Sequence, residues 1–167
     1  MTLIDAPAFD ERRARRNRAI AITISSLVVL LVLLTLLGYL LGHGWLFSNL
    51  PTEHRVSEFY SALEHTDFAK AYGIYENDPT WQQHPGKYSG YPLQRFTEDW
   101  TNPAYSPAGG PIVSHHVDVS RTDGTGTFGT GVIVGATLNG NPAKRSFIYV
   151  DRADGTFTYP SPHIIEY

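Results

Sequence analysis

Two kinds of hydrophobic pattern divide the chain near residue 50. Residues 19–41, AIAITISSLVVLLVLLTLLGYLL, contain no charged side chain over 23 positions. At about 1.5 Å per residue, a helix of this length spans the roughly 30 Å hydrocarbon core of a bilayer. Beyond Pro51 the pattern becomes amphipathic, as in a folded domain. We therefore expect a transmembrane helix at 19–41, a juxtamembrane linker at 42–51 and a domain at 52–167.

Three stretches of the domain show the spacing of amphipathic helices. In TEHRVSEFYSALE, apolar side chains recur at i, i+3, i+4 and i+7, so that one face packs inward. A second helix is expected after a cap at Thr66 or Asp67, and a third in YPLQRFTEDW. The residues expected to face inward are Val56, Phe59, Tyr60 and Leu63, then Phe68, Ala71, Tyr72 and Tyr75, then Leu93, Phe96 and Trp100.

From Ile112 the hydrophobic period changes to two. Val113, His115, Val117 and Val119 alternate with polar residues, which predicts a strand with these four side chains inward. Further strands are predicted in FGTGVIVGATL, KRSFIYVDR and TFTYP, because the turn sequences RTDGTG, NGNP and ADG separate them. Helices followed by an antiparallel meander make the predicted fold class α+β.

The glycines of DGTGTFGTGVIVG raise the question of nucleotide binding, because Gly124, Gly126 and Gly129 follow a G-x-G-x-x-G pattern. In the dinucleotide fingerprint a helix follows the glycines, whereas here the chain continues as a strand. A kinase-type loop needs a catalytic lobe, and only 36 residues follow Gly131. We expect no nucleotide cofactor, and we interpret Gly129, Gly131 and Gly135 as thin points on one strand face where a helix or a bend comes close.

Basic charge is concentrated before the apolar run. Residues after 41 carry 8 basic and 13 acidic side chains, a net charge of −5, which argues against nucleic acid as a partner. By the positive-inside rule, residues 1–18 form a cytoplasmic tail and the domain is exported from the inner membrane. A cleaved signal peptide is the alternative, with a small-x-small site only at 42–44. The residues expected to determine topology are Arg12, Arg13, Arg15, Arg16 and Arg18.

The stretch RVSEFYSALEHTDFAKAYGIY resembles the opening of nuclear-transport-factor-2-like (NTF2-like, or SnoaL-like) domains, with an aromatic-rich FYxAL helix and an Asp-capped helix bearing AY. The resemblance covers roughly residues 52–160 and implies a cone of about three helices packed on a curved antiparallel sheet around a cavity. Members of this superfamily include single-pass membrane proteins with one such domain outside the membrane. The type IV secretion assembly protein VirB8 is similar in architecture.

Two residues are candidates for a ligand pocket. His115 is expected to point inward, where an imidazole can act as an acid, a base or a ligand-binding group. Tyr149, between Phe147 and Asp151 on one strand face, can supply a hydroxyl to the same pocket. The structural alternative is a strand histidine with one hydrogen bond and a core tyrosine.

Other chemistry lacks its sequence signatures. The seven histidines show no H-E-x-x-H or i, i+4 pair, so no metal is expected. There is no cysteine and no G-x-S-x-G elbow. We therefore expect a membrane-anchored extracytoplasmic domain that binds a protein partner, a second copy of itself or a small ligand without catalysis.

Two alternatives to this function stay open from the sequence. One is an enzyme that uses the conical pocket around His115 and Tyr149, and the other is an envelope assembly component of VirB8-like architecture. The contents of the pocket discriminate between them, because convergent polar groups favour an enzyme and a filling of Phe and Tyr favours a scaffold.

Overall fold

The computed structural model describes residues 10–123 and 131–159, and the chain divides into two units, Met1–Leu37 and Gly38–Tyr167. The predicted α+β order is confirmed, with helices before strands. The helices are α1 Glu11–Leu40, α2 Leu46–Glu64, α3 Phe68–Tyr75 and α4 Leu93–Thr101. The strands are β1 His115–Thr122, β2 Gly131–Leu138, β3 Asn141–Asp151 and β4 Phe157–Thr158.

Helix α1 is long and apolar enough to span a membrane. It begins at Glu11, eight residues before the apolar run, because Asp10 caps it: the backbone N–H groups of Arg12 and Arg13 donate to Asp10 Oδ1 at 3.0 and 3.1 Å. In the apolar run, the Thr35 hydroxyl donates to the Leu31 carbonyl at 2.8 Å, which satisfies it within the helix. Within the expected tail, Asp10 is therefore the N-cap and residues 11–18 form the first turns of α1. Residues 1–9 lie outside the described residues.

Helix α2 buries the four residues that the periodicity selected: Val56, Phe59, Tyr60 and Leu63. Its start differs from the expectation, because α2 begins at Leu46 and continues through Pro51. Residues 46–51 of the segment expected to be a linker thus form the first turns of α2, and Asn49 among them is fully buried. The domain therefore includes residues before Thr52.

Helices α3 and α4 agree closely with their patterns. Asp67 caps α3, since its Oδ1 accepts a hydrogen bond from the Lys70 N–H at 3.0 Å. Ala71, Tyr72 and Tyr75 of α3 are buried, as are Phe96 and Trp100 of α4, whereas Phe68 and Leu93 are half-buried at the edge of the core. Two short 3-10 turns, Trp81–Gln83 and Pro85–Tyr88, join the two helices.

The four described strands form an antiparallel sheet in the order β1–β2–β3–β4. One sheet face packs on α2 and contributes Val132, Val134, Ala136, Leu138, Ile148 and Val150 to the main core. On the other face, Val119, Ile133 and Tyr149 form a second, smaller buried cluster with Phe147 packed against it.

A β-bulge in β1 changes which side chains point inward. Val117 pairs with Ala136 but Val119 pairs with Gly135, so Asp118 is an extra residue in the ladder. The alternation predicted from sequence holds at Val117, which packs on the main core, and fails at Val119, which lies in the cluster on the other face. Ser120 takes the inward position instead and is fully buried. Val113, also expected inside, is 72% exposed.

Candidate functional site

The space between the helices and the sheet is filled by aromatic side chains. Phe59 lies at its centre, with the rings of Trp100, Tyr60 and Phe157 edge-on at centroid distances of 5.0, 5.3 and 5.5 Å. Phe59, Tyr60 and Phe96 are fully buried and Trp100 is 1% exposed. Burial raises the pKa of Tyr60, so its hydroxyl is neutral at ordinary pH.

Few polar groups reach this interior. The Tyr60 hydroxyl donates to Ser146 Oγ at 3.0 Å. Within residues 10–123 and 131–159, Trp100 Nε1 is the one buried side-chain nitrogen or oxygen without a hydrogen-bond partner. Among the described residues, the other buried side-chain nitrogens and oxygens are hydrogen-bonded within the protein rather than left to converge on a ligand.

His115 lies on the helix side of the sheet, in contact with α2. Its Nδ1 is 2.5 Å from Glu64 Oε1 and its Nε2 is 2.8 Å from Ser57 Oγ. The imidazole packs beside the Tyr60 ring, with centroids 5.6 Å apart. The side chains of His115 and Glu64 are 12% and 19% exposed. His115 thus makes two side-chain hydrogen bonds, and both partners come from one helix.

A surface pocket of about 360 Å³ opens beside His115. Its walls come from the first half of α2 and the start of β1. The lining residues are Leu50, Glu53, His54, Ser57, His115, His116 and Val117. The Ser57–His115 hydrogen bond therefore lies at the edge of a solvent-accessible cavity.

Tyr149 does not share this pocket. It pairs with Ile133 and packs in the second cluster, whereas its neighbours Ile148 and Val150 face α2. Because successive side chains of a strand point to opposite faces, Tyr149 and His115 lie on opposite sides of the sheet. A single pocket around these two residues, as expected from the sequence, is not formed.

The glycines of β2 make room for rings of the neighbouring strand. A Cβ on Gly131 would lie 2.5 Å from Tyr149 Cζ, and one on Gly135 would lie 2.8 Å from Phe147 Cε1. Side chains of β3, rather than a helix, therefore explain these two glycines. Residues 124–130, which include Gly124, Gly126 and Gly129 of the phosphate-loop pattern, lie outside the described residues.

A buried polar network that the sequence did not indicate fastens residues 42–53 to β1. Glu53 receives a hydrogen bond from His43 Nδ1 at 3.0 Å and lies 2.5 Å from Ser120 Oγ. Asn49 Nδ2 donates to Ser120 Oγ at 3.1 Å, and the Ser120 N–H donates to the Gly42 carbonyl at 2.9 Å. The Ser120 hydroxyl contacts Glu53 rather than the His43 imidazole, so this network is not arranged as a serine nucleophile and its base.

A groove of about 490 Å³ runs along α2 and α3. Its lining residues include Arg55, Lys70, Ile74 and Trp81. Arg55 itself is engaged, because its Nη2 donates to Asn77 Oδ1 and to the Gly155 carbonyl at 3.0 Å each. The groove thus combines apolar walls with two exposed charged side chains, the ammonium of Lys70 and the carboxylate of Glu58.

The remaining candidate groups are distributed over the surface. Arg15 is 3.6 Å from Glu11, and Arg12, Arg13, Arg16 and Arg18 are exposed on the first turns of α1. Asp118 bridges strands on the face away from α2, accepting from Thr137 Oγ1 at 2.6 Å and pairing with Arg145 Nε at 3.2 Å. Across the described residues, no three His, Asp or Glu side chains are grouped so as to hold a metal ion.

Comparison with known proteins gives no relative from which a function can be transferred. The chain matches no protein-family model, no curated protein and no solved structure.

Proposed function

We propose that this chain is a single-pass inner-membrane protein whose exported NTF2-like domain binds a partner at its outer surface. The apolar helix α1 supports membrane anchoring, and the five arginines that precede the apolar run support a cytoplasmic N-terminus. The α+β order and the packing of α2 on the antiparallel sheet support the cone-like fold.

The observation that carries a binding function at the surface is the aromatic filling of the interior. Where the resemblance to NTF2-like domains implies a cavity, this domain packs Phe59, Phe96 and Trp100 against one another. Recognition therefore belongs on the outside, and the α2–α3 groove of about 490 Å³ offers a concavity there. Its mixture of apolar Trp81 and Ile74 with charged Lys70 and Glu58 suits a protein segment with an apolar anchor and charged neighbours.

Site-specific photocrosslinking in cells tests this function. A benzophenone amino acid at Gln82, which is exposed and lines the groove, is expected to give a discrete adduct. The same residue at Gln94, which is exposed on α4, serves as the control. The adduct should weaken with Lys70→Glu, because the substitution reverses the charge beside the groove.

The adduct's mass separates the possible partners. An adduct of twice the chain mass indicates self-association, and any other discrete mass indicates a different protein. No adduct at position 82, or equal adducts at 82 and 94, would contradict a partner in the groove.

A further inference from the structure

Three side chains from α2 and β1 form a continuous series of hydrogen bonds, which the proposed binding function does not use. It runs from Glu64 Oε1 to His115 Nδ1 over 2.5 Å, and from His115 Nε2 to Ser57 Oγ over 2.8 Å. Carboxylate, imidazole and hydroxyl occur here in the order that serine nucleophiles require. This series of hydrogen bonds ends at Ser57, on the wall of the 360 Å³ pocket.

The fold holds this arrangement from several sides. Ser57 and Glu64 are seven residues apart on α2, which is two helical turns, so both face the start of β1. His115 enters between them from the first position of β1, and the Tyr60 ring supports the imidazole at 5.6 Å. The base is therefore preorganised by contacts on both ring nitrogens and on one ring face.

One neutral tautomer of His115 fits both contacts. It carries its hydrogen on Nδ1 and donates it to the Glu64 carboxylate. Nε2 then presents a lone pair, which accepts the Ser57 hydroxyl hydrogen. This tautomer is the one in which a histidine removes the proton from a serine, and Glu64 stabilises the imidazolium that forms.

We propose that Ser57 is a nucleophilic serine that reacts with carboxylic esters of short acyl groups. Ser57 Oγ attacks the ester carbonyl carbon while His115 Nε2 takes the hydroxyl proton. The proton then passes to the departing alkoxide oxygen as its bond to the carbonyl carbon breaks, leaving an acyl-serine and a free alcohol. Water, activated by His115, attacks the acyl-serine, releases the acid and restores the Ser57 hydroxyl.

The pocket explains the choice of substrate class. About 360 Å³ accommodates a small ester, and Leu50 and Val117 give apolar contact for its acyl chain. The backbone N–H groups around Ser57 lie within α2 and are used by its helical hydrogen bonds. On the α2 wall of the pocket, the His54 imidazole is the side chain that can donate to the carbonyl oxygen, and its Nε2 also lies 3.4 Å from Glu58 Oε1.

Covalent labelling of the full-length protein in detergent with a fluorophosphonate probe tests this reactivity. We expect one adduct, located on Ser57 by peptide mass spectrometry and absent from Ser57→Ala. His115 is a catalytic residue and Glu64 a positioning residue in this scheme. His115→Gln and Glu64→Gln should each slow labelling by about 10²-fold or more.

Ser61→Ala is the matched control, because Ser61 lies one turn further along α2, and it should label at the wild-type rate. Absence of an adduct on the wild-type protein, an adduct that persists in Ser57→Ala, or wild-type labelling of Glu64→Gln would overturn the proposal. If His115→Gln fails to fold, the Ser57 and Glu64 variants still decide the outcome. The crosslinking at Gln82 does not depend on Ser57, so the two proposals fail separately.

Discussion

Among single residues, the glycines of β2 show that a sequence pattern can indicate where a side chain has no room without indicating which group fills the space. Their spacing suggested close approach, and the structure places the Tyr149 and Phe147 rings over Gly131 and Gly135. Nothing in the local sequence could tell that the covering groups come from β3, because the antiparallel register brings them together. A glycine whose absent side chain leaves room for a ring is a packing feature rather than a phosphate-binding one.

Gly131→Ala is therefore expected to destabilise the domain. The new Cβ would lie 2.5 Å from both Tyr149 Cζ and the Val150 carbonyl oxygen, and the latter cannot move without shifting the strand. Overpacking of this kind costs about 1–3 kcal/mol in the free energy of unfolding, measurable by denaturant titration. Gly86→Ala is the control, since a Cβ there meets nothing within 4 Å. Equal stabilities of the two variants would contradict this close approach of β3 to Gly131.

His115 shows the other limit of single-residue inference. The alternation of the strand correctly predicted that its side chain faces inward. Its partners Ser57 and Glu64 lie 58 and 51 positions earlier in the chain. No spacing rule along one strand indicates them. Tyr149 was assigned to the same pocket because neither its strand register nor the bulge in β1 is visible in the sequence.

At the scale of elements, periodicity predicted the faces of helices better than their ends. The four core residues of α2 follow from the i, i+3, i+4, i+7 pattern alone. Its start at Leu46 was missed because Pro51 ordinarily marks a helix boundary. The first turns are instead held by tertiary hydrogen bonds, including the one from buried Asn49 Nδ2 to Ser120 Oγ.

A fragment that begins at Gly38 should therefore be more stable than one that begins at Thr52. The shorter fragment lacks His43 and Asn49, which leaves Glu53 and Ser120 without partners that they have in the full domain. Each unsatisfied buried group costs about 1–3 kcal/mol. Thermal unfolding followed by circular dichroism should give a clearly lower midpoint for residues 52–167 than for residues 38–167. Equal midpoints would mean that the segment before Thr52 is a linker after all.

At the scale of the whole molecule, the sequence separates an apolar helix from an α+β domain with little ambiguity. The 23-residue uncharged run lies within α1, and the domain's three helices and four described strands occur in the predicted order. Orientation is a different kind of inference, because it depends on the insertion machinery and the membrane potential rather than on packing. It follows only from the distribution of arginine around the helix.

We expect the C-terminal domain to lie outside the cytoplasm. Arg12, Arg13, Arg15, Arg16 and Arg18 all precede the apolar run, and residues 41–51 contain no arginine or lysine. A reporter enzyme that is active only outside the cytoplasm should therefore work when fused after Tyr167. Replacing the five arginines with glutamate should lower the activity of the reporter, because the positive charge that favours a cytoplasmic N-terminus is lost. Protection of the domain from protease added to intact spheroplasts would show the opposite orientation.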